Sequence, residues 1–273
     1  MNDLIFSIYT KITDTTKKRS HNSIQFEKHF HRLRDGLKNY AEICNADFKL
    51  LTPNSTKYDD LNIYKIQKWE EFCNEYDRVL YLDFDVIPNT NINIFDKFDF
   101  NKFITHFIPI DDFNERVGLR TKLETRHEFS IRTQSKEYKD QLKELDEYHW
   151  LIKGLMKKDM MKVDGVPLTQ NVIVNTGIFG GNHIARDQLK FSERMDECKK
   201  LIDSIKHIDK RYFYNNEVFA SYMIDKYKVP VLDVPPHWHE LVLTDTVDAR
   251  IKYSCLVHVI TKDFERVFNI LDS

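Results

Sequence analysis

Apolar and polar residues alternate along this chain in two rhythms, one short and one long. Residues 4–10 (LIFSIYT) form an apolar, β-branched run that stops at polar residues. Such a run predicts a buried strand, followed here by a loop over 11–21. Phe26, Phe30, Leu33, Leu37 and Tyr40 then recur in steps of three and four, the stripe of an amphipathic helix. ADFKLLTP (46–53) predicts a second strand closed by Pro53, and Ile63, Ile66, Trp69, Phe72 and Tyr76 return to helical spacing. RVLYLDFD (78–85) is a third strand, whose unbroken VLYL centre predicts burial on both faces. Strand, helix, strand, helix, strand is the order of a doubly wound α/β unit with a mainly parallel sheet.

Further along, a strand is expected over 103–108. From 111 to 167 the chain turns polar and charged, with a helix expected over 135–160. The stretch lacks the Pro, Gly and Ser richness of a linker and reads as an insertion within the domain. NVIVNTGIFGGN (171–182) returns to strand character, with breaks expected at Gly177 and at the pair Gly180 and Gly181. A helix over 185–205 follows, then a short one in NEVFASYMIDKY (216–227). An extended VPVLDVPP (229–236) and a late strand, YSCLVHVIT (253–261), complete the pattern.

The 273 residues are 41% hydrophobic and 31% charged, the composition of a soluble globular protein. A formal net charge of −2 leaves no global basic field, so no nucleic-acid partner is expected. The first residues, MNDLIFSIYTKITD, lack the basic start and long apolar run of a secretory leader. No run approaches the ~18 apolar residues of a transmembrane segment, and none is expected. Cys44, Cys73, Cys198 and Cys255 are scattered without CxxC spacing, which suits reduced thiols and a cytoplasmic location.

Asp83 and Asp85 close the third strand one residue apart. Two carboxylates at that spacing repel, so a positive group must sit beside them or one must hold a proton. In parallel α/β sheets, ligands bind outside the carboxyl ends of the strands. A carboxylate pair there suits a hard divalent cation, Mg²⁺ or Mn²⁺, whose shell is completed by water and substrate phosphates. A capping or solvated pair is the plainer alternative.

YDRVLYLDFDVIPN (76–89), the preceding helix with Lys65, NTGIFGGN (175–182) and LVHVITKDF (256–264) together resemble nucleotide-sugar glycosyltransferases of the GT-A fold. The likeness is greatest to the family-8 group that includes glycogenin and bacterial lipopolysaccharide galactosyltransferases. It covers most of 1–110 and 170–265 and implies a Rossmann-like GT-A fold: an α/β domain over 1–273 with a mainly parallel central sheet flanked by helices. The nucleotide-binding half would span about 1–110, the helical insertion about 111–167 and the acceptor half about 168–273.

The resemblance implies that Asp83 and Asp85 bind a metal holding the donor diphosphate, with His258 as third ligand. Imidazole suits Mn²⁺ better than Mg²⁺, which favours manganese. The family pattern continues past the histidine into Gly and a Lys-Pro-Trp run. Lys262 is the implied diphosphate contact, although neither the glycine nor the Pro-Trp is present here. Tyr9 is implied to stack on uracil and Thr10 to bond it, Lys65 to face the donor, and the Phe84 backbone to line the ribose site. Asn175, Thr176 and Gly177 match the segment that lines the sugar pocket. Asn216 and Glu217 stand, in swapped order, where the family has an acidic-Gln pair. Glu217 would orient an acceptor hydroxyl or stabilise the oxocarbenium-like charge at the anomeric carbon.

Plainer roles stay open for most of these residues. Tyr9 and Thr10 also fit an ordinary strand end, Lys65 a solvated helix face, Lys262 a surface lysine and 175–177 a β-turn. Asn215 or Asn216 also fits a helix N-cap, and His258 a satisfied core histidine. In PPHWHEL, His237 and His239 are spaced as a ligand pair if extended. Without carboxylates nearby they read instead as pocket lining, with Trp238 on a sugar or in the core.

The function these features favour is metal-dependent transfer of a hexose from a nucleotide diphosphate sugar, a UDP-sugar, with retention. The acceptor would be a glycan, a lipid-linked molecule or a protein. A nucleotide-sugar or glycan-binding protein without turnover is one alternative. A phosphatase of the haloacid dehalogenase type also places DxD after a strand, but near its N-terminus and before a Gly-Thr pair. Here Asp83 follows a full strand–helix–strand unit.

Overall fold

In the computed structural model, which describes residues 1–10, 17–53, 58–110, 148–205, 215–243 and 246–273, the alternation of the first 110 residues is present. β1 (Asp3–Ile8), α1 (Lys17–Ile43), β2 (Asp47–Leu51), α2 (Tyr58–Phe72), β3 (Arg78–Leu82) and β5 (Phe103–Pro109) form in the expected order. α1 starts earlier than the apolar stripe indicates. Residues 17–21 are polar and carry no stripe, yet nothing in them breaks a helix; of the expected loop, 11–16 lie outside the described residues. The chain divides into two compact units, Met1–His106 with Thr176–Asp187 and Pro230–Ser273, and Phe107–Asn175 with Gln188–Val229.

The first unit holds the body of a six-stranded sheet, ordered β2-β1-β3-β6-β5-β7, with β6 at Val172–Gly181 and β7 at Val231–Asp233. β1 runs parallel to β2 and β3, β5 runs parallel to β7, and β6 is antiparallel to β3. The VLYL centre of β3 is buried throughout, as a strand covered on both faces requires. Alternation along the strands sorts the core into two layers. Ile5, Leu80 and Leu82 meet Leu33, Leu37 and Tyr40 of α1, with Phe264, Val267 and Phe268 from the last helix in the same cluster. On the other face, Phe6, Tyr81 and Phe179 pack as rings with Phe72 and Trp69 of α2.

β6 runs through Gly177 and Gly180 without a break and ends at Gly181. A Cβ on Gly180 would come within 2.8 Å of the Val79 carbonyl oxygen and 3.0 Å of the Phe100 ring. The residue therefore admits the neighbouring strand rather than turning the chain. The helix expected over 185–205 is two, α4 (His183–Leu189) and α5 (Phe191–Ser204). Lys190 between them is left-handed (φ 45°), while Leu189 and Phe191 on either side are both fully buried. No Gly or Pro marks that break.

A second sheet is ordered β4-β9-β8: β4 is Val86–Pro88, β8 Glu240–Leu241 and β9 Leu256–His258. β9 is the centre of the strand expected over 253–261, whereas β4 and β8, of three and two residues, carry too little alternation to be read. β4 pairs antiparallel with β9, Val86 opposite His258, and β8 pairs parallel with β9.

The second unit contains α3 (Tyr148–Val163), α5 and α6 (Asn216–Tyr227). α3 realises the end of the helix expected over 135–160; its expected part before 148 lies outside the described residues. Met156, Met160 and Met161 of α3 are buried, as is nearly all of α6. Lys157 of α3 is also buried, paired at 2.8 Å with Asp225 of α6. It donates besides to the carbonyls of Gln170 and Val172, so this interior charge is fully engaged. The last helices are α7 (Asp248–Lys252) and α8 (Phe264–Leu271). Among the described residues no helix is long and apolar enough to cross a membrane. All four cysteines are free; three are buried and Cys255 is half-buried.

Candidate metal and donor site

β3 delivers Asp83 to its carboxyl end, where the Asp83 N–H donates to the Gly177 carbonyl of β6 at 2.8 Å. The Val86 N–H then donates back to the Asp83 carbonyl at 2.9 Å, turning the chain through Phe84 and Asp85 into β4. The β4–β9 ladder sets His258 opposite Val86, and the Val259 N–H donates to the Asp85 carbonyl at 3.0 Å. Residues 173 positions apart in sequence thus share one corner. One ligand atom from each of Asp83, Asp85 and His258 lies within 4.8 Å of the others. His258 Nε2 is 3.3 Å from Asp85 Oδ2 and 3.8 Å from Asp83 Oδ2.

Two part-buried carboxylates with oxygens within 4.8 Å of one another repel by roughly 3 kcal/mol or more, so the corner needs cations. Lys65, buried on α2, places its ammonium 3.1 Å from Asp83 Oδ1 and donates to the Thr176 carbonyl at 2.8 Å. The Tyr81 hydroxyl donates to the same carboxylate oxygen at 2.6 Å, which leaves Asp83 Oδ2 turned toward His258. Lys262 reaches Asp85 Oδ2 from a left-handed backbone (φ 61°). Burial opposes the charge on Asp85, but Lys262 and His258 outweigh it and hold the carboxyl well below the usual carboxylate range. The donor set, two carboxylates and one imidazole, could hold a divalent metal ion.

Lys65, Asp83, Phe84, Asp85, Thr176, Gly177, His258 and Lys262 all belong to the first unit, as do Tyr9 and Thr10. Lys65 and Lys262 are therefore neither a solvated helix face nor a free surface lysine: each pairs with one aspartate. Phe84 points into the core, its ring 4.9 Å from Tyr9 and 5.3 Å from Phe30. Tyr9 packs on the same rings, and the Thr10 hydroxyl donates to the Pro53 carbonyl at 2.7 Å. Thr176 and Gly177 lie inside β6, a continuous strand rather than a β-turn.

Asn175, Asn216 and Glu217 belong to the second unit. Asn215 caps α6, accepting from the N–H groups of Glu217 (3.0 Å) and Val218 (3.1 Å), so Asn216 is the first helical residue. Glu217 is buried and ion-paired with Lys153 of α3. His237 is exposed and Trp238 is packed edge-on to Phe98 in the core, which removes both the ligand pair and the sugar-stacking role. His239 is buried against His258.

Sequence reasoning did not single out Tyr81, Lys153 or Lys157. Tyr81 was accessible to it, since two residues before Asp83 on a strand is the same face. The two lysines lie in a stretch whose helical partners no local pattern specifies.

No protein-family model matches the chain, and a search of curated protein sequences finds no match. Among solved structures, the bifunctional glycosyltransferase WbbM aligns with a TM-score of 0.51 at 10% identity, over 100% of this chain and 50% of that one. A glycosyltransferase involved in glycosylation of the major capsid of PBCV-1 aligns at 0.48, with 14% identity and 100% of both chains covered. The galactosyltransferase LgtC aligns at 0.47, with 11% identity over 99% of this chain and 95% of that one. At such identities the likeness to WbbM is one of fold: this chain has a mixed α/β architecture of the kind that glycosyltransferase adopts.

Proposed function

We propose that the chain is a metal-dependent glycosyltransferase of the GT-A type, similar to family 8, that moves a hexose from a UDP-sugar to an acceptor hydroxyl. The observation that carries this reading is the Asp83, Asp85 and His258 cluster at the carboxyl end of β3, with a lysine on each carboxylate. Asp83, Asp85 and His258 would hold Mn²⁺, which when bound neutralises charge on the departing diphosphate. Lys65 and Lys262 are suited to phosphate, being ammonium groups already held at the cluster.

The family likeness assigns Tyr9, Thr10 and the Phe84 backbone to the nucleoside, Asn175, Thr176 and Gly177 to the sugar, and Asn216 and Glu217 to the acceptor side. No carboxylate of the first-unit cluster is free of a cation, so none is offered as a covalent nucleophile. A front-face transfer fits that arrangement. The acceptor oxygen bonds the anomeric carbon as the bond to the diphosphate breaks, and the acceptor proton passes to the departing phosphate oxygen.

Release of UDP from UDP-glucose and UDP-galactose, measured with and without Mn²⁺, tests the reading. Metal-dependent release that falls at least about a hundredfold in Asp85→Ala is expected, the scale of losing a group that stabilises transition-state charge. Hydrolysis of simple phosphate monoesters with none of sugar nucleotides would overturn it. Donor binding without turnover, across a panel of acceptors, would instead identify a binding protein.

A further inference from the structure

His239 is an imidazole in the interior with one evident purpose. It follows the 3-10 turn Pro236–Trp238 and is 1% exposed. Its Nε2 lies 2.9 Å from His258 Nδ1, and the two rings stack 5.1 Å apart at 17°. Its other nitrogen, Nδ1, makes no hydrogen bond among the described residues. Among the described residues the other ring against it is His106, edge-on at 5.5 Å and itself bonded to the Val234 carbonyl and Asp233. Burying an imidazole is costly unless it is hydrogen-bonded, and here the bond is to a residue of the cluster.

A neutral imidazole has one donor and one acceptor nitrogen. A ring 1% exposed, 2.9 Å from His258 Nδ1, is costly to charge, and in its neutral form its Nε2 can accept. For His258 to offer the Nε2 lone pair to a cation, its proton must sit on Nδ1, and an acceptor must receive it. His239 Nε2 is in that place. The opposite polarity, with His239 donating, puts the His258 proton on Nε2 facing Asp85, where it excludes a cation.

We propose that His239 is the positioning residue of this site: it accepts the His258 Nδ1–H and fixes the tautomer whose Nε2 lone pair faces Asp83 and Asp85. The proposal rests on the reading of Asp83, Asp85 and His258 as a metal site. His239 would not touch metal or substrate. It acts through the ring orientation and basicity of His258, as outer partners of metal-bound histidines do.

Titration of Mn²⁺ into the full chain, followed by the electron paramagnetic resonance of free Mn²⁺, separates the possibilities. The wild type is expected to bind saturably, and Asp85→Ala to abolish that binding. His239→Phe keeps a stacked ring without an acceptor, and should weaken Mn²⁺ binding by about 10- to 100-fold. His239→Gln carries an amide oxygen near the Nε2 position, and should restore affinity to within roughly threefold of wild type. Unchanged affinity in His239→Phe, or equal loss in both variants at matched thermal stability, would overturn the positioning role. If His239→Phe does not fold, histidine ¹⁵N spectra of the Mg²⁺-loaded wild type decide the matter. A protonated Nδ1 on His258 and an unprotonated Nε2 on His239 are expected, and the reverse overturns the proposal. Absence of any Asp85-dependent binding in the wild type removes the metal site, and the proposal with it.

Discussion

Phe84 separates the two aspartates and points away from both, into the rings of Tyr9, Phe26 and Phe30. The DxD pair is therefore anchored by the residue between its carboxylates: one side chain fills the core while its neighbours face the corner. Phe84→Ala should destabilise the protein by about 3–5 kcal/mol, the range for truncating a buried aromatic side chain. Urea denaturation measures this, and a loss below about 1 kcal/mol would mean the ring anchors nothing. At this scale the sequence was informative where chemistry is local. Asp83 and Asp85 could be read from charge at a strand end. Lys65, Lys262 and His258 were indicated only by the family resemblance, because their contacts depend on pairing across distant chain. Lys262 meets Asp85 from a left-handed backbone that a lysine rarely adopts, which residue type alone does not indicate.

Elements with a sustained apolar period were legible, and the pairing of short strands was not. β1, β2, β3, α1 and α2 follow their apolar periods; of the β4-β9-β8 sheet, which brings His258 to Asp85, only β9 falls in an expected strand, and its pairing with β4 and β8 left no periodic trace. Glycine misled in β6, where close approach of β3 and not a turn demands it. Helix pairing in the second unit was equally silent, and its polar ties are open to a direct test. Glu197 of α5 accepts from the Tyr222 hydroxyl at 2.8 Å and bonds Lys226 and Tyr227 of α6. Burial works to raise the Glu197 pKa, but these partners outweigh it and lower it from 4.5. A carboxyl lowered on folding contributes stability that is present above its unfolded pKa and lost as pH falls through the folded one. Glu197→Gln should thus be less stable than wild type by roughly 1 kcal/mol at pH 7, with the gap closing as the pH drops below about 4.5. Thermal unfolding at pH 7 and pH 3 checks it; an equal gap at both would show that the charge is not the cause.

Across the whole molecule, the candidate metal ligands and both lysines that neutralise them lie within the first unit, together with the body of the six-stranded sheet. The mixed α/β class was readable because its first five elements alternate in period. The two-unit division was not, since the chain passes between units inside β5 and β6 without any change in local pattern. A net charge of −2 over 273 residues conceals the local balance of two aspartates against Lys65 and Lys262. The central claim is that this balance is a place for a divalent cation carrying a donor diphosphate. Anomalous scattering at the manganese edge, from crystals grown with Mn²⁺ and UDP, tests it most directly. A peak within coordination distance of Asp83, Asp85 and His258 Nε2, with the diphosphate on its open side, is the predicted result. UDP bound with no peak there, or a peak ligated away from these three residues, would contradict it.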